Sequence, residues 1–243
     1  MASMIEISAP GGTAQAYLAR PDDEQRPGVL LFMDAIGLRP QIELIADRIA
    51  SWGYVVLAPN YFYRSGTAAE TSPPGDLTAP GTREAFFAGI RPRIAALTSD
   101  LSNADTLVWL DTLASYAPGP VAATGYCMGA RLAVRAAGLA PDVVRGVAGW
   151  HGGNLVTDAP DSPHRSIVSS TAYVFGHADN DQSMTPDDVA RLEQALVSAG
   201  APHTNEVFEG AAHGYVMADT SMHDEAAAER HYLGLEGLLN QVL

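Results

Sequence analysis

The stretch VAATGYCMGARLAV, residues 121–134, holds the only cysteine of a 243-residue chain between two glycines. An apolar, β-rich run ending at Tyr126 gives way within two residues to an Ala- and Leu-rich pattern of helical type. A strand that turns so abruptly into a helix needs neighbours without bulk, and Gly125 and Gly129 supply that clearance. The residue at the apex, Cys127, is expected in a strained conformation at a helix N-terminus. There the helix dipole favours a thiolate, and the next amide, that of Met128, is free to face a developing oxyanion. A lone cysteine is ordinarily a small buried hydrophobe. Its place in Gly-x-Cys-x-Gly marks Cys127 as a candidate nucleophile.

Working outward, the hydrophobic patterning predicts strands over 13–18, 27–33, 54–58, 121–126, 144–150, 171–175 and 204–208. Helices are predicted around 42–50, over 100–115, from Cys127 to 139, over 186–198 and over 224–239. This alternation indicates an α/β protein with a mostly parallel sheet of about seven to eight strands and helices on both faces. Without a linker or an internal repeat, residues 1–243 are expected to form one domain. The opening MASM is expected to carry no fold information. Residues 59–92, rich in Pro, Gly and Thr and interleaved with Tyr61, Phe62, Tyr63, Phe86 and Phe87, predict a long irregular segment walling a pocket.

Composition narrows the function classes. A formal net charge of −14 opposes binding to nucleic acid or to anionic lipid. No apolar run approaches the roughly 20 residues that span a bilayer. One cysteine permits no internal disulfide, and no basic start followed by an apolar core marks a secretion signal, so a cytoplasmic location is expected. Neither His-x-x-x-His nor His-Glu-x-x-His occurs, and neither metal nor cofactor is expected.

Ligands of such sheets bind beyond the carboxyl ends of the strands, and Asp34, Cys127, Asp179 and His213 all fall at such ends. Two short glycine-bearing loops follow the nucleophile turn. GHAD, residues 176–179, comes after the strand ending at Phe175, and GAAHG, residues 210–214, after the strand ending at Phe208. Nucleophile, acid, histidine is the chain order of α/β-hydrolases.

With FMDAIGL, residues 32–38, in the loop after the third strand, these motifs resemble the dienelactone hydrolase family of α/β-hydrolases over nearly the whole chain. The resemblance implies that Cys127 is the nucleophile, His213 the general base and Asp179 its partner. It also implies an oxyanion hole made by the amides of Ala35 and Met128. Asp181, two positions on, is the alternative acid, and the Gly-x-x-Asp match favours Asp179. Where the family has a glutamate near the resting thiol this chain has Asp34, expected to hold the thiol protonated until substrate arrives.

The implied substrate is a small ester or lactone, cleaved through an acyl thioester. In the family a carboxylate-bearing lactone is held by arginines, one of them four residues after the catalytic histidine, where this chain has Met217. Arg83 or Arg91 is a candidate for the other. Met217, Trp150 and the aromatic segment suggest a preference for neutral or apolar esters, with Tyr126 and His151 as further pocket candidates. Two other activities fit parts of the pattern. A glutamine amidotransferase would use His223-Asp224-Glu225, although Ser221 there reads as a helix cap, and a thiolate with an oxyanion hole could also act on activated phosphoesters.

Overall fold

The computed structural model describes residues 1–243, and the expected alternation of strands and helices is present in it. It also extends further toward the N-terminus. Strand β1 (Ala2–Ala9) pairs antiparallel with β2 (Gly12–Ala19), so the opening residues, expected to be uninformative, form an edge of the sheet. They escaped detection because an edge strand has little to bury, and here Ile7 alone is buried.

Strands β3 (Gly28–Phe32) and β4 (Val55–Pro59) are buried at every residue and therefore read as unbroken apolar runs. Helix α1 (Pro40–Ser51) joins them and turns Ile42, Ile45, Ala46, Ile49 and Ala50 inward. The segment expected to be irregular instead contains α2 (Ala68–Thr71), closed by a Thr67–Glu70 capping box, and α3 (Thr82–Ala96). Helix α3 buries only Ile90, so it lacks an apolar stripe, and Pro92 inside it removes an amide donor; both features hid it.

The rest of the chain runs α4 (Ser99–Tyr116), β5 (Val121–Tyr126), α5 (Met128–Leu139), β6 (Val144–Trp150), β7 (Ala172–Ala178), α6 (Pro186–Ala199), β8 (His203–Phe208) and α7 (Glu225–Val242). The cap of α7 is Asp224, whose carboxylate accepts from the Ala227 amide at 3.0 Å, and not Ser221. No helix is long and apolar enough to cross a membrane.

The eight strands form one sheet in the order β1-β2-β4-β3-β5-β6-β7-β8, parallel from β4 onward. Helices α1 and α7 lie together on one face, joined by the Arg48–Glu229 ion pair and by Trp52 against Tyr232. Helices α4 and α5 pack on the other. The chain leaves β3 toward β4 and returns across it to β5. The winding therefore reverses between β3 and β5, and their carboxyl ends open the crevice where an α/β sheet binds its ligand.

Candidate active site

Cys127 sits at the mouth of that crevice with φ 52° and ψ −114°, a backbone conformation that L-residues rarely adopt. Its amide donates to Trp150 O at 3.0 Å, which ties the turn to β6. The flanking glycines are required sterically. A Cβ on Gly125 would stand 2.2 Å from Gly129 O, and one on Gly129 would stand 2.2 Å from Phe32 O. Met128 opens α5, so its N–H has no acceptor within the helix. Across the crevice Ala35 lies in the turn after β3, which is closed by Gly37 N donating to Asp34 O at 3.3 Å, and its own amide makes no backbone hydrogen bond. Neither amide is spent on a backbone acceptor of its own element.

The histidine loop after β8 brings in His213, and here one expectation is corrected. His213 Nδ1 lies 2.6 Å from Asp181 Oδ2, whereas Asp179 accepts from the Gly210 amide at 3.0 Å. Asp179 is a staple between the two loops, since its own amide also donates to Ala211 O at 2.8 Å. Between the two aspartates Asn180 takes φ 54°, a left-handed step that re-aims the chain, so that the second carboxylate meets the imidazole. Ser183 holds the other oxygen of Asp181 through its amide and hydroxyl at 2.8 and 2.7 Å. Burial opposes the charge on Asp181, and the bonds from His213 and Ser183 outweigh it, keeping the carboxyl below its usual range.

Burial also opposes a thiolate at Cys127. The adjacent His213, through its charge and a hydrogen bond, overcomes this, and the thiol pKa falls below its ordinary value; Asp34 works against the thiolate and Arg131 for it. His213 is pushed up to about 10, burial being outweighed by Cys127 and Asp181. The pair therefore favours thiolate and imidazolium. His151 lies edge-on to His213 with ring centroids 5.3 Å apart, 1% exposed, and with neither ring nitrogen partnered. Burial, reinforced by His213, His231 and Arg83, holds its pKa well below normal, so it stays neutral beside the charged imidazole. Arg83, on the first turn of α3, stacks over Phe87 at 4.8 Å.

Other candidates lie elsewhere. Asp34 does not hydrogen-bond the thiol. Arg39 forks both its oxygens at 2.7 and 3.1 Å, and the Ile36 amide donates to one of them at 3.0 Å. Tyr126, Trp150 and Met217, expected at the pocket, are at most 1% exposed and belong to the core. Tyr126 points under α7, where its hydroxyl meets His231 Nε2 at 2.9 Å, and Trp150 Nε1 donates to Thr124 Oγ1 at 3.1 Å. Strand alternation puts Thr124 and Tyr126 on the same face of the sheet, toward α7. His223 bonds Tyr215 O and Glu225 at the start of α7. Sequence reading missed Arg39 and its second partner Asp219, because the pairing spans 180 residues and no local pattern announces it.

Residues 14–243 match the model of the Dienelactone hydrolase family. A carboxymethylenebutenolidase-like protein of Escherichia coli is 27% identical over 241 residues, covering 94% of this chain and 83% of that protein. Among solved structures, a dienelactone hydrolase-like protein of Klebsiella pneumoniae superposes with a TM-score of 0.83 at 22% identity, covering 99% of this chain and 98% of the other. Dienelactone hydrolase from Anabaena variabilis gives a TM-score of 0.68 at 15% identity, covering 100% and 98%. These two share the fold, and the sequence match over nearly the full length sets the family: the chain belongs to the dienelactone hydrolase family and is a hydrolase of the α/β-hydrolase fold.

Proposed function

We propose that the protein hydrolyses carboxylic esters or lactones through Cys127, with His213 as proton carrier and Asp181 orienting its ring. The observation that carries this reading is the constellation at the β3–β5 crevice. A cysteine on a strained turn, favoured as thiolate, faces a histidine whose far nitrogen is held by a carboxylate at 2.6 Å. The thiolate attacks the carbonyl carbon, and the oxyanion is received by the amides of Ala35 and Met128. His213 gives its proton to the departing alkoxide as the C–O bond breaks, leaving an acyl thioester. It then takes a proton from water, the hydroxide adds to the thioester carbonyl, and collapse of the adduct breaks the C–S bond, releasing the carboxylic acid and restoring the Cys127 thiolate beside protonated His213. Asp181 fixes the tautomer and stabilises the imidazolium throughout.

The preference for neutral or apolar substrates no longer leans on Met217 or Trp150. It leans on a cavity of about 310 Å³ lined by Pro73, Pro74, Leu77, Ala85 and Phe86 together with Gly75, Asp76 and Thr82, the Asp76 carboxylate adding a charge that disfavours acidic substrates. Leu77 pairs with Thr220 in the loop that follows His213, which sets this cavity beside the histidine loop. A thiolate nucleophile persists where thiols stay reduced, and we place the enzyme in the cytoplasm on that ground.

The test is intact-protein mass spectrometry after mixing with p-nitrophenyl butyrate, alongside nitrophenolate release, on wild type and Cys127→Ala. A butyryl adduct on wild type, absent from a variant that has lost turnover, supports the reading. Turnover that survives in Cys127→Ala overturns it. A panel pairing neutral with carboxylate-bearing esters tests the preference, and a higher kcat/KM for the acidic members would reverse it.

A further inference from the structure

Arg39 lies between β3 and α1 with its side chain 3% exposed. Besides the fork to Asp34, its Nε and Nη2 donate to Asp219 at 2.6 and 3.0 Å, and Nη1 donates to Gly37 O at 3.2 Å. That makes five hydrogen bonds from a group with five N–H donors, so none is left over. Burial works against its charge, and Asp34 and Asp219 outweigh that, holding the guanidinium protonated.

The partners of this arginine belong to two separate parts of the site. Asp34 and Gly37 bound the turn that presents the Ala35 amide, and Asp219 lies in the loop that follows His213. Asp34 is also 4% exposed and within electrostatic reach of Cys127, where its negative charge disfavours the thiolate. The other charged or titratable groups facing Cys127 are His213, backed by Asp181, and Arg131 on α5, with neutral His151 against His213.

We propose that Arg39 is a positioning residue of the hydrolytic reaction. It fastens the turn carrying the Ala35 amide to the loop that follows His213, and it matches the charge of Asp34, whose turn follows the strand next to the one that leads into Cys127. This rests on the reading of Cys127 as nucleophile. The two functions are separable. Removing the guanidinium releases the turn and also leaves a buried carboxylate unmatched within electrostatic reach of the thiol, whereas removing the Asp34 charge as well leaves only the release. Lysine, a point charge on a flexible stem, cannot reproduce five directed bonds.

The experiment measures iodoacetamide alkylation of Cys127 against pH, with kcat and KM for p-nitrophenyl butyrate, in full-length wild type and variants. In Arg39→Met the alkylation midpoint should rise by about one pH unit. Its kcat should fall about tenfold or more, with KM little changed. In Asp34→Asn/Arg39→Met the midpoint should return to the wild-type position while kcat stays low, and Arg39→Lys should fall between Arg39→Met and wild type. Asp219→Asn keeps the fork to Asp34, so it should lower kcat without moving the midpoint. Wild-type alkylation and kcat in Arg39→Met would overturn the proposal, and a midpoint still displaced in the double variant would overturn its electrostatic half. Should Arg39→Met not fold, wild-type kcat in both Asp219→Asn and the double variant overturns it. Alkylation reads the thiol without turnover, so this outcome is distinct from survival of activity in Cys127→Ala, which overturns the nucleophile reading itself.

Discussion

His213 Nδ1 stands 2.6 Å from Asp181 Oδ2, and the aspartate two residues earlier, Asp179, is taken by the Gly210 amide at 3.0 Å. Two carboxylates in one loop therefore have different work, and substitution separates them. By analogy with serine proteases, Asp181→Asn should lower kcat by about 10⁴, because an amide no longer selects the tautomer or stabilises the imidazolium. Asp179→Asn retains an oxygen for the Gly210 amide, so stability should change by only about 0.5 kcal/mol and kcat by roughly twofold. Steady-state ester hydrolysis with thermal melting checks both, and equal loss of kcat in the two variants would contradict the assignment.

The second prediction concerns pH. The thiol pKa of Cys127 lies below its ordinary value, and that of His213 is raised to about 10. Acid breaks the pair by protonating the thiolate, and alkali breaks it by deprotonating His213 as pH passes about 10. Alkylation of wild type should therefore gain its rate at lower pH than that of an ordinary cysteine thiol. In His213→Gln the burial of the thiol loses its main counterweight, and the rate at pH 7 should drop by about tenfold or more. An unchanged rate there would mean that the sulfur keeps its charge without the imidazole.

The sharp turn at Cys127 was legible because its requirement is local: two glycines within two residues of Cys127 leave room for backbone where any Cβ would collide. His213 was legible for a similar reason, as a histidine in a glycine-bearing loop past a strand end. Asp181 was legible only as the alternative to Asp179, because Gly-x-x-Asp counts residues while the loop is aimed by the left-handed Asn180. The signal was present in Asp-Asn-Asp, since asparagine tolerates that conformation better than most residues. Tyr126 and Trp150 were misplaced by proximity in sequence; adjacency to Cys127 and His151 says nothing about which sheet face a side chain takes. The Asp34–Arg39–Asp219 bridge is a tertiary contact with no local pattern at all.

The third prediction tests the turn. Gly125→Ala and Gly129→Ala each drive a Cβ into backbone oxygen at 2.2 Å, and no flexible side chain is there to yield. Each should cost about 3 kcal/mol or more, which for a chain of this size lowers Tm by roughly 6–12 °C. Gly237→Ala is the control. It lies within α7 with nothing within 4 Å of its added Cβ, so it should stabilise by about 0.5–1 kcal/mol. Equal melting temperatures for all three would remove the steric account of the turn.

The last prediction separates core from site at Tyr126. Its hydroxyl donates to His231 Nε2 at 2.9 Å, while His231 Nδ1 donates to Ala228 O at 2.9 Å, so both ring nitrogens of a fully buried histidine are satisfied. Tyr126→Phe strands Nε2 and should cost about 1–2 kcal/mol, with kcat/KM held within about twofold because the ring lies under α7. Burial lowers the pKa of His231 to about 3, against about 6.5 in an unfolded chain. The unfolded state thus binds the proton first, and stability, complete above about pH 6.5, declines as pH falls toward 3 by about 1.4 kcal/mol per unit for this one group. His231→Gln keeps an acceptor for Tyr126 and cannot titrate there, so its unfolding free energy should fall less steeply between pH 6 and 4 in urea titrations. Parallel slopes for variant and wild type would show that His231 is not a source of acid sensitivity.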